Sequence, residues 1–413
     1  MIKLGRELEN PYTVENMRKA YQNLVERGIL KSGIVIDATH LYIRFLPAHE
    51  LEMEEFESTL LNFITEVDLE LLEEEFSGHF FDYPLHYEIL EGGTYYFDPE
   101  LPPGSITWQY LVVPVDFPMP PVHYEVIDPL HLNVAETEVI AQKIGSPLEP
   151  DMWDLLETEA LILAGDPDAE MVSGPVLKSS RWQPSGAITV WDDVLRKQIP
   201  LQGARVRARR WFRVLTGITD ANGRFSVSGT FNRPANYSII WERKDWDIRM
   251  GPWGQAYFNG PKQSGPWILP IESERSLRLA TIHRALYRYF YGERLGLKAP
   301  FIAPWWKSRL KVGYFHSDDD TWGGVAGYAN PAANWVTASH IGIWGRRKDG
   351  TWRRTDRIFS VTIHELAHVS HWDIIGQGRF SCLWLSISKN TRIIPESWAD
   401  AVQWGLTNLE YHT

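Results

Sequence analysis

The stretch 357–374 constrains the fold of this chain more than any other. It contains no glycine and no proline, and Thr362 and Ile363 lead into His364, Glu365, Leu366, Ala367 and His368. Two histidines four apart project from one face of a helix, a turn from each other, so their imidazoles can converge on one metal ion. Glu365 follows His364 directly and points aside from that direction. It is placed to take a proton from a water activated by the metal without itself occupying the metal.

Pro395, Glu396, Ser397, Trp398, Ala399 and Asp400 open a second stretch that reads as helical, 396–409. Glu396 supplies a third ligand there. Asp400, one turn further on, is placed to hydrogen-bond the free nitrogen of a ligand histidine, His364, and to fix its tautomer. The competing reading of Glu396 is a carboxylate that only caps a helix starting at Pro395. His371 lies on the face of His368, but it is seven residues from His364, about 10.5 Å along a helix. One ion cannot take all three rings, so His371 reads as a pocket wall or a group behind the ligands.

H-E-x-x-H followed by E-x-x-x-D resembles the ligand pattern of the gluzincins, the thermolysin-like zinc peptidases. The resemblance covers the two helices and the 27 residues between His368 and Glu396, a longer gap than in compact members. It implies a zincin-like α+β domain over 263–413, with Zn2+ held by His364, His368 and Glu396 and Glu365 as general base. The implied substrate is a peptide or protein. The met-zincin pattern fails, because it needs a glycine at His371 and a histidine at Ile374. Gluzincins usually add a Tyr or His that stabilises the oxyanion of the intermediate. Only 17 residues follow Glu396, with Tyr411 and His412 the sole such groups among them. Either an upstream group serves, Tyr328 or His340, or the chain is a shortened form of a longer protein, and the spacing favours the second. The run from Gly324 to Asn330 is similar to the Gly-rich motif of gluzincin aminopeptidases but lacks its glutamate, so no aminopeptidase activity is expected. Residues 335–344 read either as an edge strand beside the cleft, open to strand addition by a peptide, or as an ordinary buried strand. Asp318, Asp319 and Asp320 read as a solvated turn rather than a calcium site, for want of a spaced Gly and Glu.

The middle of the chain, 185–250, reads as β throughout. Ala204, Val206 and Ala208 alternate with Arg205, Arg207 and Arg209, so one face is apolar and the other basic, the latter expected to be solvated. Asp220, Ala221, Asn222 and Gly223 form a tight turn that fits a hairpin. Gly186 with Ile188, then Pro200, Leu201, Gly203, Ala204 and Val206, then Thr219 to Phe225, resemble the carboxypeptidase-regulatory-like or transthyretin-like β-sandwich. The resemblance implies a Greek-key-like sandwich over 181–262 that carries no chemistry of its own.

Residues 1–180 hold 34 acidic and 9 basic side chains, a formal charge of −25; the rest hold 19 and 32, or +13. Such a split fits an acidic module docked on a basic one, or separate domains with different surfaces. A third reading has residues 1–180 masking the catalytic half as a pro-segment, so that their removal raises activity. The segment reads as an α+β region of unknown role. It has a helix from Val14 with Thr13 as N-cap, a strand at 38–46 and an acidic helix within 49–76. A strand at 106–115, an irregular Pro-rich stretch at 116–150, a helix at 152–164 and a linker at 165–186 follow.

The fold class expected from these readings is multidomain α+β. Cys382 is the only cysteine, which excludes an intrachain disulfide and a cysteine-rich zinc site. No run of eighteen apolar residues is present, so no transmembrane segment is expected. The arginines are scattered through strands rather than gathered, so no nucleic-acid partner is expected. The layout, with Leu41 to Pro47 and Tyr83 to Leu85 in an aromatic N-terminal region, also resembles a group of exported lipoproteins of gut Bacteroidetes. That implies an extracytoplasmic or cell-surface location, with a lipid anchor in a longer precursor, since the first residues form no signal peptide. The alternative function is a surface binding or adhesion protein with a catalytically degenerate zincin domain, which the 19 tryptophans also suit.

Overall fold

In the computed structural model, residues 1–64, 80–133, 150–169, 181–300, 309–316, 327–329, 340–376 and 389–412 are described. The chain is mixed α+β, with six helices among these residues: α1 (Val14–Glu26), α2 (Glu50–Ile64), α3 (Pro150–Leu163), α4 (Glu274–Tyr291), α5 (Thr355–Ile375) and α6 (Lys389–Tyr411). No described helix is long and apolar enough to cross a membrane.

Helix α1 starts where the Thr13 hydroxyl accepts the Asn16 N–H at 3.2 Å, and it buries Met17, Ala20 and Leu24. The strand His40–Phe45 lies between Gln109–Pro114 and Tyr124–Leu130, both antiparallel. Tyr124–Leu130 falls in the stretch expected to be irregular. Pro129 is tolerated because this strand is at the edge of its sheet, where a missing donor breaks no ladder.

Two four-stranded sheets follow. One joins Ser185–Asp192 to Lys197–Pro200, Arg224–Ser226 and Trp267–Ile271. The other runs Tyr257–Gln263, Ala235–Ile240, Arg205–Arg210, Arg213–Ile218. The turn at Asp220–Gly223 therefore passes the chain between sheets, where a hairpin was expected. Gly223 takes a φ of 71° there, and the Asp220 carboxylate accepts the N–H groups of Asn222 and Arg224.

The expectation of a solvated basic face is overturned. Arg205, Arg207, Arg209 and Arg210 are all at most 5% exposed. Arg205 donates to Glu242 at 2.8 Å, and Arg210 donates to Asp168 at 2.8 Å. The Arg207 guanidinium lies over the rings of Phe81 and Tyr257, and Arg209 donates to the Trp211 carbonyl at 2.9 Å. The acidic, aromatic N-terminal region covers this face, so the charges are paired or stacked and not hydrated. Asp166 and Asp168, read as linker, are anchors of that contact; residues 170–180 of the same stretch lie outside the described residues.

The N-terminal region also reaches the C-terminal sheet. Glu50 receives two guanidinium bonds from Arg249, at 2.8 and 2.9 Å, and pairs with Lys311, which also holds Glu54. Arg233 pairs with Glu157 at 3.2 Å and Lys262 with Asp168 at 2.5 Å. Part of the charge split of the sequence is thus met by ion pairs within the molecule.

The C-terminal sheet has five strands in the order Gly254–Gln255, Trp246–Met250, Leu310–Phe315, Ile341–Trp344, Gly327–Ala329. The three inner strands are parallel, and Gly327–Ala329 is antiparallel to its neighbour. Ile341–Trp344 is buried between two strands, so of the two readings of 335–344 the described part is the interior one; 330–339 lie outside the described residues. Asp318 to Asp320 and Gly324 to Ala326 also lie outside them. One continuous apolar core links the two four-stranded sheets to the C-terminal helices, from Ile188 and Val206 through Leu279 and Leu286 to Leu366 and Leu406.

Candidate metal centre

Helix α5 is buried on most of its faces, with Ile358, Phe359, Ile363, Leu366 and Ala367 in the core. Its first amide is held from another part of the chain. Thr355 N–H donates to the Asp193 carboxylate at 3.0 Å, and the Thr355 hydroxyl lies 2.9 Å from Asp192 and 2.7 Å from Asp193, with one proton to give to either. Asp193 satisfies one orphan donor of the helix N-terminus, and the two carboxylates there favour the dipole. Asp192 is itself paired with Arg284 of α4, at 2.8 Å, and Ser370 of α5 meets the Tyr289 hydroxyl of α4 at 2.8 Å. The helix is thus fixed along its length.

Helix α6 starts at Lys389, earlier than expected, with Pro395 inside it. Glu396 is therefore well within the helix, and the helix-cap reading of its carboxylate falls. The two helices run antiparallel. Phe359 packs edge-on against Tyr411, His364 meets Gln403, and His368 meets Glu396.

The structure brings together three of the residues singled out. His364 Nε2 and His368 Nε2 are 3.1 Å apart, and Glu396 Oε2 lies 3.4 Å from the first and 3.7 Å from the second. Tetrahedral ligands about 2.0–2.1 Å from one ion stand about 3.3 Å from each other, so this triangle has the size a single ion requires. It is the one group among the described residues that could hold a metal.

His364 turns Nε2 to this triangle because Nδ1 is engaged on its other side. Asp400 Oδ1 lies 3.3 Å from Nδ1 and Gln403 Oε1 2.9 Å. The Asp400 contact is the one expected; Gln403 was not singled out. It lies seven residues from Glu396, two turns along the same face.

Burial pushes the Glu365 carboxyl up to about 7, against the pull of the His364 ring and with the help of Glu396. Burial also lowers His368 to about 4, with His364 adding to the effect. Burial opposes the charged form of His364 as well, but the Glu396 hydrogen bond and the carboxylates of Glu365, Glu396 and Asp400 raise it overall. The lowered His368 favours the neutral ring that metal ligation needs, whereas the raised His364 has to give up its proton to ligate.

His371 is buried against Trp398, with ring centroids 5.6 Å apart, and is not part of the triangle. His340 is held at the sheet: its Nδ1 accepts the Lys311 N–H at 3.0 Å. Tyr328 lies in the strand Gly327–Ala329, its backbone opposite Gly342. Tyr411 is buried fifteen residues along α6 from Glu396, about 22 Å. That distance removes it as an oxyanion donor.

Compared with known proteins, the chain matches no family model, no curated protein and no solved structure.

Proposed function

We propose that this chain is a zinc-dependent metallopeptidase, with His364, His368 and Glu396 as metal ligands and Glu365 as general base. The observation that carries the reading is the triangle of two Nε2 atoms and one carboxylate oxygen, with sides of 3.1, 3.4 and 3.7 Å. Two imidazoles and a carboxylate suit zinc, whereas magnesium and calcium prefer oxygen ligands alone. Zinc held there supplies a Lewis acid toward a peptide carbonyl and toward water.

The chain's own residues then do the following. Asp400 and Gln403 hold the His364 ring so that Nε2 faces the ion. Glu365 accepts the proton of the attacking water at a carboxylate oxygen and returns it to the leaving amine. A carboxyl held near neutral pH suits both halves of that transfer. The expected oxyanion donor is not identified among the residues described at the centre. The test is elemental analysis with peptide hydrolysis. The parent is expected to hold about one zinc per chain and to cleave peptides, and Glu365→Gln to keep the zinc and lose turnover. A Glu365→Gln protein as active as the parent overturns the mechanism.

One observation favours a second reading, a binding protein. A cavity of about 190 Å³ lies between the N-terminal region and the sandwich, walled by Tyr12, Trp153, Phe212 and Phe231, with Arg181 among its polar lining. Zinc binding without hydrolysis of any peptide library would favour this reading over the first.

A further inference from the structure

Positive charge gathers at one end of the C-terminal sheet. The strands Trp246–Met250, Leu310–Phe315 and Ile341–Trp344 are parallel, so their carboxyl ends lie side by side. His316 directly follows the second of these strands, and Arg346 stands just past the third. Arg275 and Arg278 come from the first two turns of α4, and the Arg275 guanidinium meets His316 Nδ1 at 3.4 Å. Trp352 joins the group together. Arg346 lies over its ring at 4.0 Å and Arg278 at 5.2 Å, and His316 packs edge-on against it at 5.2 Å. The carboxyl ends of parallel strands are where such sheets bind their ligands.

The cations here are not matched by carboxylates. Glu274, the one paired with Arg346 among the described residues, is 3.9 Å away, too far for a hydrogen bond. Among the described residues Arg275 meets the Thr94 hydroxyl at 3.3 Å and His316, and no carboxylate. Arg278 is the best compensated, with the Arg353 carbonyl at 2.7 Å and Asp193 at 3.4 Å. Ser273 precedes α4 without a side-chain cap, so the positive end of the helix dipole adds to the field.

The hydrogen-bond count points the same way. Arg275 Nε, Arg346 Nε and Tyr314 Oη are buried without an acceptor. Tyr314 is wholly buried, and its hydroxyl lies against Gly345, beside Arg346, in space that a Cβ would fill. Burial raises that hydroxyl to about 12, and Arg275, Arg278 and Arg346 all pull against the rise, so it stands in the field of all three. Buried polar groups of a native protein are paired as a rule, and these three are all donors. They come from α4, from the end of one strand and from the chain beyond the next. A flat carboxylate is satisfied by a single guanidinium fork, whereas donors from several directions suit an anion with oxygens on all sides.

We propose that the carboxyl end of these parallel strands, beside the start of α4, binds a tetrahedral oxyanion, a phosphate group free or as a monoester, through Arg275, Arg346 and Tyr314. The site is separate from the metal group: His364 lies nine residues, about 13.5 Å, along α5 from Thr355.

The experiment is calorimetric titration of the full chain with inorganic phosphate at low salt. Saturable binding at a single site is expected. Arg275→Gln and Arg346→Gln each weaken it about tenfold or more, and Tyr314→Phe weakens it by less. His364→Ala, altered at the metal group, and Arg347→Gln, altered at an exposed neighbour, bind as the parent does. Circular dichroism shows that each variant keeps its fold. Phosphoserine separates the two sources. Binding tighter than that of inorganic phosphate assigns a monoester, and equal or weaker binding assigns the free anion. No saturable binding of phosphate, acetate bound as tightly as phosphate, or binding unchanged in both arginine variants overturns the proposal. Asp318, Asp319 and Asp320 follow His316 closely in the sequence and lie outside the described residues. A chain that binds phosphate only when it carries Asp318→Asn, Asp319→Asn and Asp320→Asn also overturns the proposal, since the protein's own carboxylates then neutralise the cluster.

Discussion

The Asp193 carboxylate accepts the N–H of Thr355 at 3.0 Å, across 162 residues of chain. The turn after the strand Ser185–Asp192 thus caps the helix that carries His364 and His368. Arg354, which precedes the helix, makes no side-chain cap of its own. Asp193→Ala is expected to lower stability by about 1–2 kcal/mol and Asp193→Asn by less, since the amide oxygen still accepts. Denaturant titration checks this. An unchanged midpoint in Asp193→Ala would show that the cap carries no weight.

His364→Ala and Glu396→Gln are expected to lose zinc, while Glu365→Gln retains it. In the last, turnover should fall by about 10²–10⁴. Elemental analysis after dialysis against a weak chelator reads the first effect, and steady-state kinetics the second. Full zinc retention by Glu396→Gln would remove the carboxylate from the ligand set.

Gln403→Leu and Asp400→Ala both strip His364 Nδ1 of an acceptor. Each is expected to weaken zinc binding by about 10–100-fold, and chelator competition measures it. If Asp400→Ala alone shows the effect, the closer Gln403 contact is incidental.

Much of this centre was legible because its residues are tied by local spacing. His364 and His368 face one way by helix geometry alone, and Glu396 with Asp400 repeats that logic one helix later. Gln403 was not legible. A glutamine has no metal-ligand signature, and its contact with His364 exists only because α6 lies antiparallel along α5. The start of α6 was misjudged because proline is expected at a helix's first position; here Pro395 is inside, at the loss of one backbone bond. In the arginine strand, alternation shows that two faces differ, but not that water covers the basic one. What covers it, from Phe81 and Asp168 before the strand to Glu242 and Tyr257 after it, lies beyond the reach of a period-two pattern.

Glu50, Arg249 and Lys311 form a buried ionic group between α2 and the C-terminal sheet. Burial works against the Glu50 carboxylate, but Arg249 and Lys311 outweigh it and bring its pKa down to about 2. A depressed carboxyl contributes stability that is present above its unfolded value of 4.5 and is lost as pH falls toward 2. Glu50→Ala is expected to cost about 3–5 kcal/mol at neutral pH, because two cations remain buried. Thermal melts between pH 2 and 7 check both statements. A parent whose midpoint stays flat below pH 4.5 would contradict the coupling.

Asp82 faces the same small cavity as Glu50 and behaves oppositely. Burial raises its carboxyl to about 7, although Gln255 N–H and Gln109 donate to it. The folded state therefore holds a proton that the unfolded chain releases near 3.8, and the associated stability is lost as pH rises from there through 7. Asp82→Asn is expected to flatten the fall in stability between pH 4 and 8 and to melt higher than the parent at pH 8. A variant that melts lower at every pH would overturn this assignment.

The buried arginine strand has a consequence for the order of events during synthesis. Phe81 and Tyr83, over which Arg207 and Arg209 lie, and Asp168, which holds Arg210, all precede the strand in the chain. They leave the ribosome before the guanidinium groups of Arg207, Arg209 and Arg210 that meet them, and chains made from the N-terminus can present finished partners to later strands. Moved behind the two four-stranded sheets by circular permutation, the same acidic segment would arrive late. The nascent strand would meanwhile stand as an unmatched row of cations, exposed to whatever anionic surface is nearest.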